Sequence, residues 1–128
     1  MILRGHFRDE FPPVRLALPA RNGGTVAVEL LVDTGFNGDF KLPQDVAGLL
    51  ALSAPSSRRV RLADGRERDV PYYSMVLEWE DPETEEIERL CEVLVSGKGN
   101  PLIGTEILRN HLLQIELTDG GDVSLEPL

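Results

Sequence analysis

The strongest constraint on the fold is a pair of alternating apolar segments separated by a turn. Apolar residues occupy every second position over residues 14–18 and again over residues 26–32. A period of two is typical of strands that bury one face. Between the two segments, residues 21–24 read Arg-Asn-Gly-Gly, and Asn and Gly tolerate the positive φ of a tight turn. The sequence therefore predicts an antiparallel hairpin that runs directly into Asp33.

The rest of the chain reads as further short strands and turns. A second hairpin is predicted over residues 60–79, with Asp64-Gly65 as its tight turn. Other predicted features are a turn at 81–84, a strand at 87–95, a loop at 96–101 and a last hairpin over 114–128. Helical spacing is confined to residues 44–51, which follow Pro43, and to a short stretch at 106–112. One mainly β domain over residues 1–128, either a barrel or a closed sandwich, is the economical interpretation.

Composition excludes several classes of protein. The net charge of -9 argues against a nucleic-acid surface, because phosphate binding needs clustered Lys and Arg. The longest apolar run, residues 46–52, is far too short to span a bilayer. Cys91 is the single cysteine, so an intrachain disulfide is impossible, and its setting predicts a small buried hydrophobe. Together these features indicate a cytoplasmic protein that binds neither nucleic acid nor membrane.

Asp33, Thr34 and Gly35 form the motif with the clearest chemical meaning. Because residues 30–32 are apolar, the carboxylate of Asp33 is expected at the edge of the core. Gly35 permits a sharp turn, and the Thr34 hydroxyl can both donate and accept a hydrogen bond. The alternative is an ordinary turn that caps a strand end, and the tripeptide alone does not exclude it.

The order of motifs along the chain resembles that of the retropepsin-like aspartic proteases. The family pattern is an apolar pair before Asp-Thr-Gly, then a flap hairpin, then an apolar pair and Gly before a short helix. Here these parts are Leu31-Val32 before Asp33, the hairpin around Leu62-Ala63-Asp64-Gly65, and Leu102-Ile103-Gly104. The resemblance covers the chain from about Val14 to its end.

This resemblance implies a closed β-barrel with one or two short helices and a role for each motif. Asp33 would be the catalytic aspartate, and Thr34 would join the two catalytic loops across a subunit boundary. Ile103 and Gly104 would support the catalytic loop from behind. The residues expected near a bound peptide are Gly35, Phe36 and the flap tip Ala63, Asp64 and Gly65.

One Asp-Thr-Gly motif is half of such an active site. Peptide hydrolysis without a metal or a nucleophilic side chain needs a base to activate water and an acid to protonate the amide, and two adjacent carboxylates that share one proton can fill these roles. No other carboxylate lies in a matching context, so a second copy of the chain must supply it through a two-fold axis. The sequence therefore predicts a homodimer that acts on peptides without a cofactor or a metal. By resemblance to retroviral dimers, the terminal strand near residues 123–128 is a candidate interface.

Two departures from the pattern leave a second function open. Phe36 follows Gly35 where well-known members have Ala or Ser, although similar bacterial sequences often carry Phe there. Its ring could narrow the cleft, or it could pack against the helix predicted at 44–51. The flap tip is charged, which suits a solvated turn or selection of polar peptides. The alternative function is a dimerisation or peptide-binding module with little or no turnover.

Overall fold

The computed structural model describes residues 2–80 and 87–128, so the turn predicted at 81–84 lies outside the described residues. Ten strands and one short helix are defined within these described residues. The strands are β1 (Leu3–His6), β2 (Pro13–Pro19), β3 (Thr25–Val32), β4 (Phe40–Pro43), β5 (Ser56–Arg61), β6 (Glu67–Glu78), β7 (Glu88–Ser96), β8 (Leu102–Ile103), β9 (His111–Ile115) and β10 (Asp122–Pro127). The helix is α1 (Gln44–Ala47). The predicted mainly β class is confirmed.

The first predicted hairpin is confirmed as β2 and β3. The two strands pair antiparallel with Leu16 opposite Val28, and alternate residues of both enter the core. Gly23 and Gly24 have φ values of 94° and 72°, so the turn uses the left-handed conformation that glycine adopts without steric cost. Local alternation and turn chemistry thus fix the strand that leads to Asp33.

A seven-stranded sheet carries β3 and the strands that follow it. Its strand order is β2-β3-β8-β4-β7-β6-β5. The short strand β8 lies between β3 and β4, parallel to β3, and Val32 is opposite Ile103. A segment from late in the chain therefore lies directly beside the end of the strand that precedes Asp33.

The two ends of the chain form a separate three-stranded sheet of order β1-β10-β9. β10 is its central strand, so both of its edges are hydrogen-bonded within the chain. Pairing of a second chain with an edge of β10, as the candidate interface at 123–128 suggests, would require one of these strands to leave. The two sheets account for the named strands, and closure into a barrel stays a prediction.

Both helical predictions need correction. The helix predicted over 44–51 ends at Ala47, because Leu50 forms a bridge to Ala20 and the Ala51 N–H donates to the Pro19 carbonyl. These bonds to the end of β2 draw the chain out of helical geometry. The helix predicted over 106–112 is a series of turns over 105–110, followed by β9. Asn110 has a φ of 64°, which is incompatible with continuing a right-handed helix.

The core contains the predicted buried cysteine. Cys91 is 1% exposed and belongs to the cluster that includes Phe40, Met75 and Trp79. Burial raises the pKa of the Cys91 thiol to about 12, and the nearby charge of Asp39 adds to the effect. The thiol is therefore protonated at neutral pH, as expected of a structural cysteine. Within residues 2–80 and 87–128, no helix has the length and apolar character needed to span a membrane.

Candidate active site

Asp33 is the first residue after β3, and its carboxylate lies at the boundary of core and solvent. Leu30 and Val32 are buried, whereas Asp33 is half-buried and the next two residues are exposed. The Asp33 Oδ1 atom accepts a hydrogen bond of 2.9 Å from the Gly35 N–H. The Asp33 carbonyl accepts another, of 3.1 Å, from the Phe36 N–H. The carboxylate is thus oriented by the turn that it begins.

The segment from Asp33 to Asp39, here called the Asp33 loop, is held by residues 103–106, here called the brace. The Ile103 carbonyl accepts from the Asp33 N–H at 3.0 Å, and the Gly104 N–H donates to the Asp39 carbonyl at 2.9 Å. Two further brace amides, those of Thr105 and Glu106, donate to carbonyls within the loop at 2.9 and 3.2 Å. Four backbone hydrogen bonds therefore fix the loop from one end to the other.

Gly104 is required by the closeness of the loop and the brace. A Cβ atom at position 104 would lie 2.2 Å from the Gly38 carbonyl oxygen and 2.6 Å from Cδ2 of Phe36. A Cβ at Gly38 would likewise lie 2.6 Å from Cζ of Phe36. The Phe36 ring therefore lies against the loop and the brace, in space that both glycines leave open.

Asp39 is a charged residue of this region that sequence reasoning missed. It is 7% exposed, and its Oδ2 atom accepts a hydrogen bond of 2.9 Å from the Glu92 N–H on β7. Its Oδ1 atom lies 3.5 Å from a guanidinium nitrogen of Arg89. Burial raises the pKa of Asp39 above its ordinary value, and the Glu92 hydrogen bond and the Arg89 charge offset part of this effect.

The predicted flap is a two-stranded hairpin of β5 and β6 with an exposed, charged tip. Gly65 has a φ of 85°, and its N–H donates to the Leu62 carbonyl at 2.9 Å. The backbone and side chain of Arg66 both bond the Asp64 carboxylate, which lowers the pKa of Asp64. Asp64 and Arg66 therefore partner each other, which accords with a solvated turn.

The structure brings together some of the predicted site residues and not others. Asp33, Gly35, Phe36, Ile103 and Gly104 meet in the loop and its brace. The tip residues 63–65 bond within their own hairpin, and no hydrogen bond found among the described residues links them to the Asp33 loop.

Other features of the described surface do not compete with this site. An open groove of about 850 Å³ lies between the region of α1 and strands β6 and β7, and Asp33 is not among its lining residues. No three His, Cys, Asp or Glu side chains within residues 2–80 and 87–128 come together as metal ligands. Trp79 packs against His111, whose ring is half-buried and lies at the start of β9, not at the end of a helix.

Comparison with solved structures identifies the architecture. The whole chain superposes on 92% of a retropepsin-like aspartic protease from Rickettsia conorii, with a TM-score of 0.60 and 18% sequence identity. The fold is retropepsin-like. No protein-family model and no curated protein matches the sequence. In this retropepsin-like fold, Asp33 with its loop is the one feature described above that combines an accessible carboxylate with rigid support.

Proposed function

We propose that the chain is a homodimeric, cofactor-free aspartic endopeptidase with Asp33 as its catalytic residue. The observation that carries this proposal is the accessible Asp33 carboxylate, held on a loop that four backbone hydrogen bonds fix to the brace. The likeness to an aspartic protease structure supports the same chemistry. Membership of a bacterial subgroup of the family, suggested by Phe36, and a cytoplasmic location belong to this proposal as well.

The chemistry requires two copies of Asp33 in one cleft. A single carboxylate can accept a proton from water, but the departing amine also needs a proton donor. Two carboxylates a few ångströms apart share one proton, because two like charges at that distance cannot both ionise cheaply. A two-fold axis beside the exposed residues 34 and 35 would bring the two loops together. The cleft would then form between the two chains.

In the proposed reaction, the ionised Asp33 takes a proton from a water molecule that attacks the peptide carbonyl carbon. The protonated Asp33 of the second chain donates a hydrogen bond to the carbonyl oxygen. Collapse of the tetrahedral intermediate breaks the C–N bond, and the departing nitrogen receives a proton from the dyad. The mechanism needs one ionised and one protonated carboxylate, so activity is expected to fall at alkaline pH, where the shared proton is lost.

The remaining site residues have supporting roles in this proposal. The exposed Thr34 hydroxyl is available to a second chain, and the exposed Gly35 backbone is available to a peptide. Ile103 and Gly104 hold the loop. The hairpin tip at Ala63, Asp64 and Gly65 would close over the peptide. Phe36, whose ring lies against the brace, would act on the substrate chiefly through the shape of the loop.

A peptide-binding or dimerisation module is the second candidate function. Phe36 and the charged tip, where Asp64 and Arg66 bond each other, favour it because both depart from the pattern of the retropepsin-like proteases. This module would keep the fold and the dimer without a shared proton between two carboxylates.

The test is cleavage of a diverse peptide mixture by wild type and by Asp33→Asn, from acid to neutral pH and at several protein concentrations. Asn keeps an oxygen that can accept from Gly35, so the loop is conserved while the proton chemistry is lost. Cleavage that vanishes in the variant and falls faster than linearly on dilution supports the dimeric peptidase. A folded wild-type dimer that cleaves nothing supports the binding module.

A further inference from the structure

Asp39 lies at the opposite end of the loop from Asp33, and the proposed chemistry leaves its charge without a role. Among the described residues it is the one charged side chain in the buried class. An ionised carboxylate loses hydration when buried, so its retention requires compensating contacts or a function. We propose that Asp39 is a positioning residue that clamps the end of the Asp33 loop to β7. Its catalytic consequence rests on the proposed function of Asp33.

The first contact of this clamp extends the pairing of β4 with β7 into the loop. The two strands run parallel with Phe40 opposite Val93, and pairing through the backbone begins at that point. One residue earlier on each strand, the Oδ2 atom of Asp39 accepts from the Glu92 N–H at 2.9 Å. The side chain thus continues the strand pairing and fixes where the loop ends.

The second contact joins the clamp to the brace. A guanidinium nitrogen of Arg89 lies 3.5 Å from Asp39 Oδ1 and donates to the Glu106 carbonyl at 3.4 Å. Arg89 is itself largely covered, with 26% of its side chain exposed. Asp39 and Arg89 therefore connect the loop, β7 and the brace at one point. Solvent screening is weaker there than at the open surface because Asp39 is buried and Arg89 is largely covered.

Acidic groups outnumber basic ones in the immediate surroundings of Asp39. Asp39 is flanked by the carboxylates of Glu92 and Glu106, which disfavour its ionised form, and by Arg89, which favours it. Loss of the Arg89 charge would leave the buried Asp39 carboxylate without an opposite charge, and truncation of the Asp39 side chain would remove both contacts of the clamp. Displacement of the loop end would then be transmitted along its short length to Asp33.

The test compares Asp39→Ala with Asp39→Asn in the full-length dimer, with Asp122→Asn as an exposed control on the other sheet. Asn retains an oxygen for the Glu92 N–H, whereas Ala removes both contacts. We expect Asp39→Ala to lower kcat per folded dimer by about 10- to 100-fold with KM changed less than about threefold. We expect Asp39→Asn to recover kcat to within about fivefold of wild type, and Asp122→Asn to match wild type. Wild-type kcat in Asp39→Ala would overturn the proposal.

Hydrogen exchange provides a readout that does not need activity. The Gly104, Thr105 and Glu106 amides bond the loop, so they should exchange faster in Asp39→Ala and at the wild-type rate in Asp39→Asn. If wild type cleaves no peptide, the function proposed for Asp33 fails, and the exchange rates still decide whether the clamp exists. Unchanged exchange in Asp39→Ala would overturn it.

A second variant covers the case in which Asp39→Ala does not fold. Arg89→Gln keeps a donor for the Glu106 carbonyl and removes the charge facing Asp39. It should lower kcat in the same direction and speed exchange of the brace amides. Wild-type values of both quantities in Arg89→Gln would overturn the proposal.

Discussion

Ile103 and Gly104 share the peptide group that holds both ends of the Asp33 loop. Its carbonyl accepts from the Asp33 N–H at 3.0 Å, and its N–H donates to the Asp39 carbonyl at 2.9 Å. A peptide group is planar and rigid, so the separation of the two loop ends is set by covalent geometry. The position of the Asp33 carboxylate therefore depends on a short segment 70 residues later in the chain.

Replacing Gly104 by alanine should distort the Asp33 loop directly. The effect should be larger than the loss of a contact with substrate would produce. The added Cβ would meet the Gly38 carbonyl at 2.2 Å, and backbone cannot rotate aside as a side chain can. We expect a loss of about 2–3 kcal/mol in the free energy of unfolding, together with loss of the proposed peptidase activity. Denaturant unfolding gives the first quantity.

Gly97→Ala is the matched control for this substitution. Nothing described lies within 4 Å of a Cβ at position 97, and its backbone does not require positive φ. Its stability should lie within about 0.5 kcal/mol of wild type. Equal effects of the two alanines would contradict the tight contact of loop and brace.

In the proposed dimer, Asp33→Asn should leave the association of the two chains as strong as in wild type or make it tighter. Two carboxylates brought together across a two-fold axis repel, and the amide removes that repulsion while keeping an acceptor for the Gly35 N–H. We expect a dimer Kd that is unchanged or up to about tenfold lower, measured by sedimentation equilibrium at neutral pH. A much weaker dimer would mean that Asp33 is chiefly a structural turn residue.

The contributions of Asp39 and Asp64 to the stability of the protein should change in opposite directions as the pH rises. Burial raises the pKa of Asp39, so the folded state holds its proton more firmly than the unfolded state does. As the pH rises from 3.8 through the raised pKa, wild type should therefore lose stability relative to Asp39→Asn.

Hydrogen bonds from Arg66 lower the pKa of Asp64, which reverses the sign. The stability that Asp64 contributes relative to Asp64→Asn is present above pH 3.8 and is lost as the pH falls through the lowered pKa. Denaturant unfolding of wild type and both variants between pH 3 and pH 8 measures the two trends. If the stability differences between wild type and the two variants changed in the same direction with pH, that result would contradict the burial of Asp39.

Cys91 should be unreactive in the folded protein. Its thiol is buried and its pKa is raised to about 12, so the nucleophilic thiolate is scarce at neutral pH. We expect labelling by a disulfide reagent at pH 7.5 to be at least about 100-fold slower than in the chain unfolded by guanidinium. Comparable rates would show that the thiol is accessible, and would weaken its assignment to the core.

The sequence identifies those parts of the fold that depend on local pattern. The β2–β3 hairpin combines period-two alternation with an Asn-Gly-Gly turn, and both signals lie within 20 residues. β4 was not predicted, because it ends in Pro43 and owes its strand geometry to β7 and β8. The residues with which it pairs there lie at least 53 positions later in the chain. The prediction of a helix at 106–112 was wrong because it rested on apolar spacing and did not consider Asn110, whose backbone adopts the left-handed conformation.

The candidate site shows the same difference between residues that local pattern identifies and residues whose role depends on distant contacts. Asp33, Gly35 and Gly104 stand out in the sequence because their residue types serve a turn or a close approach. Asp39 was missed because an Asp after Asn-Gly resembles a solvated turn, and its burial depends on Glu92, 53 residues away. The one available signal was its place directly before the apolar alternation of Phe40 and Leu42.

The late position of the brace has a consequence for synthesis of the protein. The Asp33 segment leaves the ribosome early, yet its backbone partners at residues 103–106 follow after most of the chain has been made. A nascent chain that ends before Ile103 lacks every one of the four hydrogen bonds that shape the loop. The Asp33 loop is therefore among the last parts of the protein to reach its final form, and an unfinished chain cannot assemble it.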